Sequence, residues 1–379
     1  MDIDRVERRD QLSVEEFVKE FLEPNLPVIL GSHFTSTWAA RREWVSDGKP
    51  NFPRLLELYA HAQVQVAECD TVYFSDQKRT TMSFSDFISK WHSNSKLYCK
   101  DWHFTQNSPF SAYRPLAHLS NDWLNLHCDS EAAGDDFRFC YLGGDATWTP
   151  FHEDVFRSYS WSANICGHKK WILVLPGQNH LFTDGLGNWV YNLMDYDKQK
   201  YPRLSELKTL EIMQSPGETV FVPAGWWHQV INVGDTISIN HNWTNEHNLH
   251  RMYARLRADL DAVKYALRDV VDMDGFDEHV QVVLRADSGT DYCLFAGFLE
   301  SVARIYLAQL QAVRDGGCDG GGRLAAFDRA YRSPDALRLA LGHIANVLGM
   351  LEDDPDACRI KDLAVKISRL NEQIRQALM

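Results

Sequence analysis

Apolar positions change their period along the chain, and the changes divide it into three stretches. In the first, Ser13-Val14-Glu15-Glu16 has the form of a capping box ahead of Phe17, Val18 and Phe21 on one helical face, and Pro24 closes that helix. Pro27-Val28-Ile29-Leu30 reads as a short buried strand ended by Gly31. Residues 52–59 read as helix, and residues 62–67 alternate like a strand with Val64 and Val66 on one side. Ser83-Phe84-Ser85-Asp86 caps a further helix bearing Phe87, Ile88 and Trp91, and Leu97–Lys100 reads as a strand. Residues 103–135, rich in Asn, Ser, Asp and Pro, predict irregular connection.

From Phe137 the reading turns to β. Strands are predicted at 139–142, 158–165, 170–175, 219–222, 229–232 and 236–243. Turn residues separate them at Gly143-Gly144, Gly167, Pro176-Gly177, Pro223-Ala224-Gly225 and Gly234-Asp235, a spacing that predicts a barrel or sandwich. The polar segment 179–210 predicts an excursion. After Asn245 the period becomes helical, with Leu249, Met252, Leu256, Leu260, Val263 and Leu267 on one stripe. The glycine-rich run 316–322 predicts a flexible break, and Ser333-Pro334 predicts a helix start. Ile360, Leu363, Ile367, Leu370 and Ile374 then alternate at three and four like a coiled-coil seam. Packing inside a C-terminal bundle is the first reading of that seam, and a homodimer contact the second. The expected division is N-terminal helices and strands over 1–135, a β core over 136–244 and a helical region over 245–379.

Composition narrows the function classes. The 379 residues carry 39 basic and 52 acidic side chains, a net charge of -13, with no Lys/Arg block. Such a chain lacks the footprint of a nucleic-acid backbone binder. Its eight cysteines include no C-x-x-C pair, so neither a zinc site nor a disulfide framework is signalled. The N-terminus has no apolar leader and no apolar run approaches membrane-spanning length, so the expected location is the cytoplasm, with the nucleus as the alternative.

Candidate chemistry sits in the middle stretch. Chance alone expects roughly two H-x-[DE] matches in this composition, and two occur, His127-Cys128-Asp129 and His152-Glu153-Asp154. The first lies in the polar connection and is read as structural. The second follows a Gly-Gly turn and a strand, so that His152 and Asp154, two apart in extended chain, can reach one metal. His228 follows the run Thr219–Val222 and a tight turn that could present it inward as a third ligand. Two imidazoles and one carboxylate are the donor set of non-haem Fe(II) oxygenases. Lys169 checks this independently: it stands on an otherwise apolar strand, where 2-oxoglutarate bound to iron would need a cation for its far carboxylate. Lys170 points the other way and reads as solvated. His103, His168, His180 and His241 are given no role, and Trp148, Trp161, Trp171, Trp226, Trp227 and Trp243 read as barrel packing.

Thr149-Pro150-Phe151-His152-Glu153-Asp154, the block W-S-A-N-I-C-G-H-K-K-W at 161–171 and G-E-T-V-F-V-P-A-G-W-W-H-Q-V-I-N at 217–232 resemble the jumonji-C family of 2-oxoglutarate oxygenases. Blocks at 21–28, 98–103, 120–125 and 235–243 extend the likeness over about residues 13 to 250. The resemblance implies a mainly β core, a cupin-type double-stranded β-helix, with N-terminal α/β additions and a C-terminal helical region. It implies Fe(II), 2-oxoglutarate and O2, with His152, Asp154 and His228 as iron ligands. It places Lys169 against the distal carboxylate of 2-oxoglutarate, with Thr149 and Tyr98 hydrogen-bonding the same group. Asn240 falls where relatives keep a small polar residue near the co-substrate, and Ser162 stands where several hydroxylases of the family carry Asn. Activity in the family varies between protein hydroxylation and methyl-lysine demethylation. The finer likeness implies lysyl hydroxylation of the eukaryotic class-one translation release factor. A demethylase and a non-catalytic cupin-fold adaptor are the alternatives.

Overall fold

The computed structural model describes residues 3–73, 76–93, 96–131, 136–315 and 329–379. The glycine-rich break predicted at 316–322 lies outside them. The chain forms two compact units: Met1–Leu116, Phe137–Asp154 and Tyr159–Asn242 make one, and Ala117–Asp136, Val155–Ser158 and Trp243–Met379 the other.

The first unit is built on an eleven-stranded, mostly antiparallel sheet. Its strands are β1 (Glu7–Arg9), β2 (Val28–Leu30), β3 (Gln63–Tyr73), β4 (Asp76–Ser83), β5 (Leu97–Trp102), β6 (Arg138–Gly143), β7 (Trp148–His152), β8 (Tyr159–Val174), β9 (Thr209–Gln214), β10 (Thr219–Val222) and β11 (His228–Trp243). They follow the order β1-β2-β10-β8-β11-β6-β5-β3-β4, with β9 added on β8 and β7 on β11. The capping box at Ser13 is present: its side chain accepts the Glu16 N–H, and Glu16 accepts the Ser13 N–H. The helices Phe52–Tyr59 and Phe84–His92 form as expected, the second capped by Ser83.

Two glycines read as turns instead bend continuous strands. Gly167 (φ 71°) lies inside β8 and Gly234 (φ 75°) inside β11. A side chain at Gly167 would meet the Asp235 carbonyl at 2.3 Å, so only glycine fits this approach. Besides pairing with each other, the two bent strands serve two further ladders each. The first half of β8 pairs with β10 and its second half with β9, while β11 pairs first with β7 and then with β6. The interior they enclose holds Ile29, Trp171, Leu173, Ile212, Val220 and Val222, all buried. Burial of each such side chain is worth about 1.5–3 kcal/mol.

The segment 179–210 leaves the sheet, but it is no free excursion. Phe182, Val190, Tyr201 and Leu204 pack on Phe151, Val174 and Trp227, and the alternating strand β9 begins at Thr209. Residues 103–135 also differ from expectation, because Trp123–Glu131 is an α-helix. Its signal is masked by a buried polar residue, Asn125, and by its cap: Asp122 Oδ1 accepts the Asn125 N–H at 3.0 Å.

That helix belongs to the second unit, with Leu249–Ala266, Phe276–Ser288, Tyr292–Arg314, Pro334–Glu352, Pro355–Arg359 and Leu363–Leu378. The stripe on Leu249–Ala266 is buried from Leu249 to Val263, and Ser333 caps the helix that Pro334 opens. The predicted seam begins at Leu363, since Ile360 is extended and outside the helix. Leu363, Ile367, Leu370 and Ile374 are buried on the side that packs against Pro334–Glu352 and Tyr292–Arg314, so the seam is used within the bundle. Tyr292–Arg314 is, by length and composition, apolar enough to cross a membrane, against the expectation that no run approaches that length. Half of its apolar window is buried inside the protein.

Candidate active site

The ladder between β7 and β11 sets His152 directly opposite His228. Their rings come to 4.3 Å between centroids. Asp154 follows two residues beyond His152, and the ligand atoms of the three side chains all lie within 4.8 Å of one another. Both imidazoles are oriented by backbone carbonyls. Nδ1 of His152 lies 2.8 Å from the Pro150 carbonyl, and Nδ1 of His228 lies 2.9 Å from that of Trp226. A carbonyl can only accept, so each Nδ1 carries a proton, which leaves Nε2 as the nitrogen turned to a metal. Burial, reinforced by the neighbouring His228, lowers the pKa of His152 to about 4, which keeps it in the neutral form that binds metal. The carboxylate is held just as firmly: Ser160 Oγ donates to Asp154 Oδ2 at 2.7 Å and Asn242 Nδ2 to Oδ1 at 3.0 Å. Such partners orient first ligands and tune their basicity.

A cavity of about 60 Å³ opens beside the triad, and Lys169, Tyr98, Thr149, Ser162 and Asn240 all line it. The bend at Gly167 turns Lys169 to the interior, where it is 2 % exposed. Its Nζ donates to the Tyr98 hydroxyl at 3.1 Å and faces the rings of Tyr98 and Tyr141 at 5.7 and 5.8 Å. Among the described residues no carboxylate pairs with it. Burial therefore lowers its pKa to about 7. Lys170, on the other face, pairs with Glu211 at 3.0 Å.

Ser162 is buried with its hydroxyl unpartnered, and Asn240 Nδ2 donates to Ser238 Oγ at 3.1 Å. Trp171 lies against His228 at 5.6 Å, while Trp161 stacks on His241. His127 stays structural: Nδ1 meets Ser301 Oγ at 2.6 Å and its ring packs on Phe298. Sequence reading overlooks Ser160, Asn242 and Tyr141. The available signal was alternation, since Ser160 and Ser162 share one face of β8, as Asn240 and Asn242 share one face of β11.

The donor set fits one iron: two imidazoles and a carboxylate converge, and a buried cation with no carboxylate partner among the described residues stands in the adjoining cavity. A model of the cupin-like domain matches residues 14–249. The 2-oxoglutarate and iron-dependent oxygenase JMJD4 of Danio rerio is 38% identical, with 99% of this chain and 92% of that protein covered. JMJD4 of Homo sapiens is likewise 38% identical, covering 97% and 89%. The chain belongs to this family of JmjC, cupin-like 2-oxoglutarate and iron-dependent oxygenases. An arginine-specific demethylase of Arabidopsis thaliana, JMJ20, is 39% identical over 83% of this chain and 72% of its own length.

Proposed function

We propose that this oxygenase is a protein lysyl hydroxylase and that its substrate is the class-one translation release factor. His152, Asp154 and His228 would hold the iron, and Lys169, Tyr98 and Thr149 the distal carboxylate of 2-oxoglutarate, with Asn240 and Ser162 nearby. Iron with 2-oxoglutarate and O2 supplies the oxidising power that converts a C–H bond to C–OH, as 2-oxoglutarate becomes succinate and CO2.

The chain's own contribution is to bind, orient and exclude water. The two backbone carbonyls fix both imidazoles, and Ser160 and Asn242 fix the carboxylate, so the donors are in place before any ligand arrives. Trp171 and Val230 wall the cavity with apolar surface. The observation that carries the oxygenase chemistry is Lys169. A buried ammonium without a carboxylate is costly, and a dicarboxylate co-substrate supplies the missing charge.

The choice of a lysyl substrate rests on the block-by-block likeness of residues 13 to 250. The name of the Arabidopsis relative keeps a second reading in view, removal of methyl groups by the same centre. The test is succinate formation from 2-oxoglutarate and Fe(II), with and without the release factor, followed by mass spectrometry of that protein. Substrate-stimulated succinate with one added oxygen on a lysine is expected. Loss of methyl mass in place of added oxygen would overturn the hydroxylase reading. Asp154→Ala should abolish turnover, and full activity in that variant would remove the triad from the mechanism.

A further inference from the structure

The strand β7 carries Thr149 and His152 and leads into Asp154, yet among the described residues it pairs with a strand on one side only. Even that ladder is irregular between His228 and Val230, so the pairing of His152 with His228 does not by itself fix where Thr149 stands. The opposite edge is closed by side chains. The Trp148 N–H meets Sγ of Cys69 at 3.5 Å, and the Trp148 carbonyl accepts from Nε2 of Gln77 at 3.0 Å. Two residues on, Pro150 has no N–H, and its carbonyl is the one that holds Nδ1 of His152.

Gln77 is 2 % exposed, and its orientation is dictated by chemistry. Its Oε1 faces Nζ of Lys100 at 3.4 Å, and Lys100 is itself 4 % exposed. A lysine only donates, so the amide oxygen must turn to Lys100 and the NH2 to the Trp148 carbonyl. Lys100 is aimed there by a bulge in β5. Cys99 and Trp102 pair with Leu142 and Cys140, leaving Lys100 and Asp101 together opposite Tyr141. Asp101 takes φ 53° to make this possible, a strained value for a side chain with a Cβ. Bulges of this kind re-aim side chains beside active sites.

We infer that Gln77, locked by Lys100, is a positioning residue that sets β7 so that Thr149 and His152 meet their ligands. The inference rests on reading His152, Asp154 and His228 as the metal centre. It is tested on the full chain by calorimetric titration with Mn(II), alongside metal-free thermal melting. Gln77→Glu keeps an acceptor for Lys100 but sets an oxygen against the Trp148 carbonyl, whereas Gln77→Leu removes both contacts. Both should weaken Mn(II) binding about tenfold. A folded variant of either kind with wild-type Mn(II) affinity overturns the inference, even if its melting temperature falls, because that would be a merely structural role.

Should neither fold, Lys100 provides the same test. Lys100→Met frees the amide to flip and should weaken Mn(II) binding several-fold, while Lys100→Gln retains a donor and should stay near wild type. Equal affinities in that pair also overturn the inference. Asp154→Ala separates the two layers. If it binds Mn(II) as the wild type does, the metal-centre reading has failed. If it loses binding while Gln77→Glu keeps it, only the positioning role has failed.

Discussion

Asp354 and Lys169 are both ionisable groups taken out of water, one in the helical unit and one in the sheet unit, and their surroundings are opposite. Asp354 is 1 % exposed and fully partnered. Tyr253 and Tyr292 each donate to Oδ2 at 2.8 Å, the Asp356 N–H reaches Oδ1 at 3.0 Å, and Arg257 lies 3.4 Å away. Burial pushes its pKa up, but the two hydroxyls and the other partners more than offset this and leave the carboxyl below its ordinary value. Lys169 has one hydroxyl and two aromatic faces. A charge that serves only the fold is satisfied within the fold, whereas one that serves a ligand is left for the ligand to satisfy.

The strongest challenge to this contrast is Lys169→Met. It should raise the 2-oxoglutarate requirement roughly a hundredfold, the effect of losing about 3 kcal/mol of buried charge pairing. Metal-free melting should be unchanged or higher, because an unpaired buried cation has been removed. A lower melting temperature would make Lys169 a structural charge like Asp354. Asp354→Ala should do the reverse, costing about 2–5 kcal/mol through two stranded buried hydroxyls. Its effect should be read by denaturant unfolding, with turnover per folded molecule unchanged.

Titration gives a third contrast. Lys169 has a folded pKa of about 7 against an ordinary 10.5. Between those values the unfolded chain holds a proton that the folded chain lacks, so ligand-free stability should rise with pH across that window, by at most about 1.4 kcal/mol per unit. Bound 2-oxoglutarate should flatten the rise by keeping the lysine charged. A slope indifferent to the ligand would break the assignment. The smallest effects come from paired deletions of one hydroxyl, each worth about 1 kcal/mol. Tyr98→Phe should appear as a several-fold weaker 2-oxoglutarate dependence, and Tyr292→Phe as lost stability alone.

The donor set is legible in the sequence because ligand chemistry admits few residue types, and strand alternation places His152 and Asp154 together without tertiary knowledge. Lys169 is legible because a lysine among Trp171, Leu173 and Leu175 breaks an apolar strand pattern. The supports are another matter. Alternation places Ser160 beside Ser162 and Asn242 beside Asn240, but their role is fixed only once β8 and β11 are known to face the same carboxylate. Gln77 sits in the polar stretch D-Q-K-R-T-T, whose composition hides the strand β4 altogether. Gly167 and Gly234 read as turns because a positive φ looks the same, from sequence, in a turn and in a bend within a strand. The helix Trp123–Glu131 stays hidden because the successive residues Trp123 to Leu126 are all buried, so no apolar stripe at helical spacing marks it, and Trp123 Nε1 is bonded to Asn121 and Tyr306.

That last pairing has a consequence for synthesis. Trp123 waits for Tyr306, 183 residues further along the chain. At roughly 5–20 residues per second, the ribosome needs on the order of 10–40 s to deliver it. For that interval the apolar side of Trp123–Glu131 has emerged without the helix it packs on, so the growing chain presents a folding chaperone with a defined, early and transient client segment.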